Sequence, residues 1–427
     1  MKFYIITSKN LKRLLAPLVA VLLTSSFQAQ NVSNSPYSRF GVGDLQPIQT
    51  PRNVGMGGLS VGLVRTSSLT TRNPASYMNL DSLLVNFEVS LFAKYSTLHE
   101  KVNDEIVTAN TNSASLGQIT FAFPIAPWLK SSFGLTPHSN MSYDVVRERD
   151  GGPNVGRQIL NNEGRGGLNQ VFVGFAAGTS RVSVGANINY QFGSFTRNTR
   201  LVFADTILQV PTMTQQYRYF DAMGFSVNLG LQYKQPLADR YQFGFGFAFT
   251  PRYRLSATRD FQILSIPVVG SPDTIPTGNF DKEGTLQMPD MYTFGLSFER
   301  LDRWIVGAEY SIVNFENYLE FGYRDPNLVN AHTLRVGMEL IGQRLDNNFL
   351  NRLSYRFGYH HGTSYVAFDE LSLTQSGVSF GIGMPIRRGF SRVDFEIFCV
   401  RIQRFCARIL RHYGILCDSE CVILCEA

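Results

Sequence analysis

The sequence predicts an all-β fold: a transmembrane antiparallel β-barrel of about fourteen strands whose lumen is plugged by an N-terminal hatch. Three observations carry this prediction. Segments of roughly ten alternating residues recur from Leu83 onward, each with one apolar and one small or polar face. Charged residues make up only 17% of the 427 residues, against roughly 25% in soluble domains, yet no apolar run reaches the roughly 18 to 20 residues of a spanning helix. Residues 31–82, ahead of the first strand, are too rich in Gly, Pro, Asn and Ser for a regular element and too long for a linker, so they need a protected space such as a lumen.

The chain opens with Lys2, Lys9, Lys12 and Arg13, then the apolar block Leu14 to Leu23, then the small and polar "TSSFQAQ". This is the pattern of a secretory signal peptide over residues 1–30, with cleavage near Ala29 or Gln30. Its removal takes four basic and no acidic residues, so the formal charge of +6 falls to about +2 and gives no footing for a nucleic-acid partner. Residues 31–82 follow as the hatch, with "YSRFGVGDL", "RNVGMGGLSVGL" and "RNPASYMNLDS".

The barrel is expected over residues 83–398. "LLVNFEVSLFAKY" sets Val85, Phe87, Val89 and Leu91 against Asn86, Glu88 and Ser90. "RVSVGANINYQF" sets Val182, Val184, Ala186, Ile188 and Tyr190 against Ser183, Gly185, Asn187, Asn189 and Gln191. In "YQFGFGFAFT" Phe243, Phe245, Phe247 and Phe249 share one face, leaving Gly244, Gly246 and Ala248 on the other, which suits lipid outside and a lumen or plug inside. Later segments put Glu299, Arg335, Glu339, Arg356 and His360 on the wet face; a dry sandwich would charge several kcal/mol for each unpaired ion, roughly, and a lumen does not. Short connectors near 177–181, 235–240, 299–303 and 385–390 alternate with long ones at 147–167, 205–216 and 265–284, the asymmetry of periplasmic turns and outer loops.

Alternation stops after Phe398. Residues 399–427 form a tail that holds all five cysteines, Cys399, Cys406, Cys417, Cys421 and Cys425. Two readings of it stay open: a reading-frame slip that replaced a native closing strand, or a lineage-specific tail partly helical through Ile402 to Leu410. A barrel without its closing strand would leave backbone groups unpaired in lipid.

The "GMGG" of Gly55 to Gly58 and the "RNPASY" of Arg72 to Tyr77 resemble the N-terminal hatch of the FadL-like family of outer-membrane transporters for long-chain fatty acids and other hydrophobic compounds. Asn73, Pro74 and Ala75 match its hatch motif, and "YRFGYHHGTSYV" (Tyr355 to Val366) and "VSFGIGMPI" (Val378 to Ile386) are similar to its last hairpins. The resemblance implies passive passage of apolar molecules from the outer loops, past a hatch, to a lateral opening or the periplasm. The "AQ" signal end and "YSRFGVGDL" resemble Bacteroidota-type members.

The expected site therefore has two parts. Gly55, Gly57, Gly58, Asn73, Pro74 and Ala75 form the hatch and gate: glycine permits close approach and positive φ, and proline fixes its own turn and the residue before it. Glu88, Glu309, Arg335, Glu339 and Arg356 are lumen residues that either orient a ligand head group or support the wall by pairing across strands. No nucleophile elbow, Walker loop, dinucleotide fingerprint or metal-ligand spacing occurs, so no catalytic residue, cofactor or metal is assigned. The expected partners are outer-membrane lipid, a hydrophobic small molecule and the barrel assembly machinery that inserts such folds. The alternative reading is a protein-docking or secretion-accessory barrel that passes no small molecule.

Overall fold

Along Tyr241–Thr250 the phenylalanines point outward, and Gln242, Gly244, Gly246 and Ala248 are buried on the inside of a closed ring. The computed structural model describes residues 35–426 except 47–49, 65–68, 82–83, 103–104, 151–155, 204–211, 239, 268–270, 272, 276–281, 344–345, 369–370, 387–391 and 404–414. The expected signal peptide lies outside the described residues.

The strands, in chain order, are β1 (Asp44–Leu45), β2 (Asn86–Val102), β3 (Glu105–Ala126), β4 (Leu129–Asp150), β5 (Arg157–Gly178), β6 (Val182–Phe203), β7 (Thr212–Ala238), β8 (Tyr241–Thr250), β9 (Tyr253–Pro267) and β10 (Asp273–Ile275). They continue as β11 (Glu283–Met288), β12 (Met291–Arg300), β13 (Trp304–Val313), β14 (Leu319–Glu320), β15 (Ala331–Leu340), β16 (Ser354–Phe368), β17 (Leu371–Pro385), β18 (Arg392–Gln403) and β19 (Ile415–Glu426). All belong to one sheet of 19 strands, and every pairing is antiparallel. β19 pairs with β18 on one side and β2 on the other, which closes the ring. Closure removes free edges from the ring except where β3 and β4 part; a ring with paired backbone is the condition for an antiparallel sheet to span a membrane.

Two staves are broken at facing positions. β8 and β9 run in line along β7, interrupted at Pro251 and Arg252; β11 and β12 run in line beside them, interrupted at Pro289 and Asp290. Proline has no N–H to give the ladder, so two prolines side by side interrupt both staves at one level. Among the described residues, counting each broken pair once and β1, β10 and β14 as short additions, fourteen staves are seen in the ring.

The outer surface is the apolar one. Val184, Ile188, Phe225, Leu229, Phe294, Leu296, Val336, Phe357, Phe380, Phe395 and Ile397 are exposed. Phe247 lies opposite Phe294 and Phe249 opposite Tyr292, with ring centroids 4.9 and 4.8 Å apart. This is the alternation of a lipid-facing wall, oily outside and polar or small inside. No helix among the described residues is long and apolar enough to cross a membrane.

Two expectations need correction. Residues 147–167, read as a long outer loop, are mostly strand: β4 and β5 pair as far as Asp150 and Arg157. Outward positions at these ends carry Asp144, Glu148, Glu163 and Arg165, with Val146 the exposed apolar residue among them, so the hydropathy alternation that marks a lipid-facing strand fades there. The wall also does not stop at Phe398. β18 runs on to Gln403, and Ile415–Glu426 supplies β19 within the tail expected to interrupt the barrel. A ladder asks only for backbone N–H and C=O groups, which every residue but proline provides.

Inside the ring lie the described residues of the segment 35–81. It contains the 3-10 helices Pro36–Arg39 and Pro74–Asn79 and the short helix α1 (Pro51–Gly55). Prolines at the first helical position and the N-caps Thr50 and Asn73, which accept from Asn53 N and Ala75 N, explain why a glycine-rich chain turns at these points.

Candidate lumenal site

Seating begins with missing side chains. A Cβ added to Gly358 would collide with the backbone of Met56 and Gly57, one on Gly337 with the Met56 carbonyl, and ones on Gly246 and Gly295 with Val61 and Gly62. These wall glycines lie on adjoining staves: Gly246 opposite Gly295, and Gly337 opposite both Gly307 and Gly358. The bare inner face of "FGFGFAF" thus lets a second stretch of backbone touch the wall. Gly57 and Gly58 have φ of +74° and +88°, conformations a side chain resists. Gly57 N donates to Ser379 Oγ at 2.9 Å, and that hydroxyl donates to Gly55 O at 2.9 Å.

The charged residues hold the same segment. Glu309, on β13 and 1% exposed, accepts Ser60 N and Val61 N, both at 2.8 Å, on one carboxylate oxygen. Its other oxygen faces Arg335 at 3.3 Å and Arg72 at 3.5 Å. Glu339, on β15, pairs with Arg52 of α1 at 2.5 Å and with Arg356 of β16 at 3.1 Å. Arg356, fully buried, also meets Asp394 at 2.8 Å and Glu396, both on β18. Glu88 accepts Leu69 N at 3.2 Å. Glu88, Glu309 and Glu339 therefore bind the lumenal segment directly, Arg356 supports that binding through Glu339, and Arg335 alone of the five lines the open chamber.

Asn73 joins three pieces of chain. Its amide donates to Val61 O at 3.0 Å and Leu231 O of β7 at 3.2 Å, and its oxygen accepts Ala75 N at 3.1 Å. Pro74 starts the 3-10 helix, and Ala75 is fully buried with its carbonyl accepting from Ser183 Oγ at 3.0 Å. Tyr77 donates to Asn187 Oδ1 at 3.0 Å; burial pushes its phenol well above the usual range, so it stays a neutral donor. Sequence reasoning did not single out Arg52, Asp394, Glu396, Asn187 or Tyr77 as site residues. Asp394 and Glu396 alternate with Val393, Phe395 and Ile397 in "RVDFEIF", so period-two counting could have placed them on the wet face.

Beside this seated segment is a chamber of about 470 Å³. Its lining combines the amides of Gln118, Gln170, Asn189, Gln191 and Asn228, the cations Arg72, Lys94 and Arg335, and the apolar Met288, Val313, Phe315, Leu373 and Val400. Above it, Phe40, Phe195, Phe220, Tyr318 and Leu328 pack as a core across the outer lumen. The connector 314–330 contributes to that core and is clasped by Arg197, which forks onto both oxygens of Glu320 at 3.0 Å.

The chamber reaches a place where two staves part. β3 and β4 pair only from Ala126–Leu129 to Ile119–Leu135. Beyond that level β3 stays with β2, while β4 stays with β5 and takes Asp44 and Leu45 of the lumenal segment on its other edge. Pro137, with no N–H, stands just past the last pair, and Gln46 N donates to His138 O at 3.0 Å. Gly117, Gln118, Thr136, Pro137 and His138 line the chamber at this split.

A closed antiparallel wall, apolar outside, around a chamber and a seated N-terminal segment defines a transmembrane β-barrel of the outer-membrane type. The chain belongs to the BamG family, whose model matches residues 11–401. No curated protein matches it. Among solved structures, it is similar to a TodX deltaS2S3 mutant monoaromatic hydrocarbon channel, at 16% identity over 88% of this chain and 97% of that one, TM-score 0.59. The Pseudomonas putida toluene transporter TodX aligns over 90% of this chain and 98% of its own at 17% identity, TM-score 0.54. A Pseudomonas aeruginosa FadL homologue aligns over 88% and 97% at 11% identity, TM-score 0.55. At such identities the likeness is one of fold.

Proposed function

We propose that this barrel is an outer-membrane channel for passive uptake of hydrophobic small molecules, with residues 31–82 as its hatch. One observation carries the reading: the chamber borders the level at which the β3 and β4 ladder stops, so a molecule in the lumen has a side route toward lipid. That proteins of similar fold include a monoaromatic hydrocarbon channel and a toluene transporter supports the same class of cargo. Gating falls to Asn73, Pro74 and Ala75, because releasing Asn73 would free both the turn at Val61 and the segment's tie to β7.

The test is uptake of toluene into vesicles whose outer leaflet is lipopolysaccharide, which hinders apolar solutes. Gly117→Trp, at the split, is expected to lower uptake at least about tenfold, a barrier change of roughly 1.4 kcal/mol, while heat-modifiable gel migration stays normal. Full uptake by the folded variant contradicts the side route. The docking alternative draws on the buried ion pairs that fix the hatch, Arg52 to Glu339 and Arg72 to Glu309, and predicts no uptake by the unaltered protein.

A further inference from the structure

On three staves an arginine stands on the inner face just beyond the aromatic core that fills the outer lumen, on its exterior side. Arg197 lies two residues past Phe195 on β6, Arg218 two residues past Phe220 on β7, and Arg147 follows Tyr143 and Val145 on β4. Arg39 of the lumenal segment joins them, its guanidinium 4.6 Å from the ring centroid of Phe40. Arg197 and Arg218 are direct cross-strand partners. Like charges set opposite each other destabilise a sheet, so this pair calls for counter-ions.

Half of the pair has one. Arg197 forks onto both oxygens of Glu320 at 3.0 Å and also donates to Gly41 O. Arg39, Arg147 and Arg218 make no ion pair and no hydrogen bond among the described residues. Arg39 and Arg218 are half-buried and Arg147 is exposed, so each keeps surface that a ligand can reach. Tyr143, whose hydroxyl makes no hydrogen bond among the described residues, interacts electrostatically with Arg39, Arg197 and Arg218, and Arg39 does so with Arg147. The carboxylates acting on this group are Glu320, Asp325 and Glu163. Glu320 is held by Arg197, Asp325 accepts from the backbone and side-chain N–H groups of Asn327, and Glu163 pairs with Arg165 and Arg200. None of them forms an ion pair with Arg39, Arg147 or Arg218.

The surplus exceeds one positive charge, and its donors are guanidinium forks beside a phenol hydroxyl. A monovalent carboxylate answers one fork, as Glu320 does for Arg197. A terminal phosphate carries a charge of about −1.5 to −2 at neutral pH and three strong acceptor oxygens, enough for two forks and the hydroxyl together. We infer that the outer mouth holds an anion site, Arg218 with Arg39 and Arg147 around Tyr143, which takes a terminal phosphate group, either inorganic phosphate or the phosphate of a lipid head group. None of these four residues lines the chamber, so the site is separate from it and does not rest on the channel reading.

The test uses the full chain immobilised in detergent, with retention of radiolabelled inorganic phosphate, hexanoate, lipid A and dephosphorylated lipid A measured over protein-free blanks. Phosphate or lipid A is expected to bind at least about tenfold tighter than hexanoate and dephosphorylated lipid A, the worth of one charge-assisted hydrogen bond. Lipid A held more tightly than phosphate assigns the lipid head group as the source, and phosphate held as tightly as lipid A assigns the free ion; both support the site. Arg218→Gln is expected to lose at least about tenfold. Arg181→Gln, the same charge change in an exposed short turn at the opposite end of the barrel, is expected to lose nothing. Removing one of two opposed like charges should leave the unfolding midpoint of Arg218→Gln unchanged or raised. Arg147→Gln, at an exposed position, gives a second reading with a loss of about threefold. Retention of neither phosphate nor lipid A, no preference over hexanoate, equal losses in Arg218→Gln and Arg181→Gln, or full retention by the folded Arg218→Gln and Arg147→Gln variants overturns the inference.

Discussion

Two arcs of the same wall solve opposite problems. Along β8, β12, β13, β15 and β16, Gly246, Gly295, Gly337 and Gly358 let the backbone of Met56 to Gly62 touch the inner face, and Ser297, Ile305 and Glu309 hold it between those points. Along β5 to β7 Gly185 and Gly230 seat Asn73 to Ala75 in the same way, and further along β3 to β7 the inner face beside the chamber is largely amide and hydroxyl. Similar apolar outward faces thus cover one arc that only seats backbone and one that both seats backbone and borders the chamber. The lesson is that the inner residue type, more than the outer stripe, states what each arc of a barrel holds.

The strongest way to break the seated arc is Arg356→Met. It leaves Glu339, Asp394 and Glu396 buried without their shared cation. A loss of about 3 to 5 kcal/mol is expected, read as a lower unfolding midpoint in detergent and earlier proteolysis of residues 35–81. A smaller change tests the outer face: Phe247→Arg is expected to cost roughly 2 to 4 kcal/mol near the bilayer centre, seen as reduced heat-modifiable barrel. Its neighbour Gly246 sits on the other side of the strand, so a substitution there should leave the barrel and dislodge the segment instead.

Gly358→Val sharpens that contrast. Valine suits a strand, so the wall should tolerate it, but the added carbons meet Met56 and Gly57. About 1 to 3 kcal/mol of overpacking is expected, visible as protease access to residues 51–62 in an intact barrel. Asn73→Ala is the mildest, at about 1 kcal/mol for a lost cap and its amide bonds, and should raise toluene leak without altering barrel migration.

Much of the wall was legible in the sequence because a period of two survives wherever one face meets lipid: "YQFGFGFAFT" and "RVSVGANINYQF" read as they stand in the structure. The outer halves of β4 and β5 were not, since water on the outside removes the contrast that marks a face. The lumen charges were visible as residues but not as anchors. Arg52 and Glu339 lie 287 positions apart, and only closure of the ring brings them together. Asn187, Asn189 and Gln191 stood out as a wet face, yet nothing in one strand tells which amides meet the lumenal segment and which border open space.

The most direct measurement is labelling at the split between β3 and β4. In reconstituted Gly117→Cys protein, a maleimide that partitions into lipid, mapped by peptide mass to residue 117, is expected to react from the bilayer and to lower toluene uptake in proportion to the labelled fraction. Labelling at 117 that leaves uptake untouched, or a residue 117 that reacts only with water-soluble reagents, would contradict a chamber that empties sideways into the membrane.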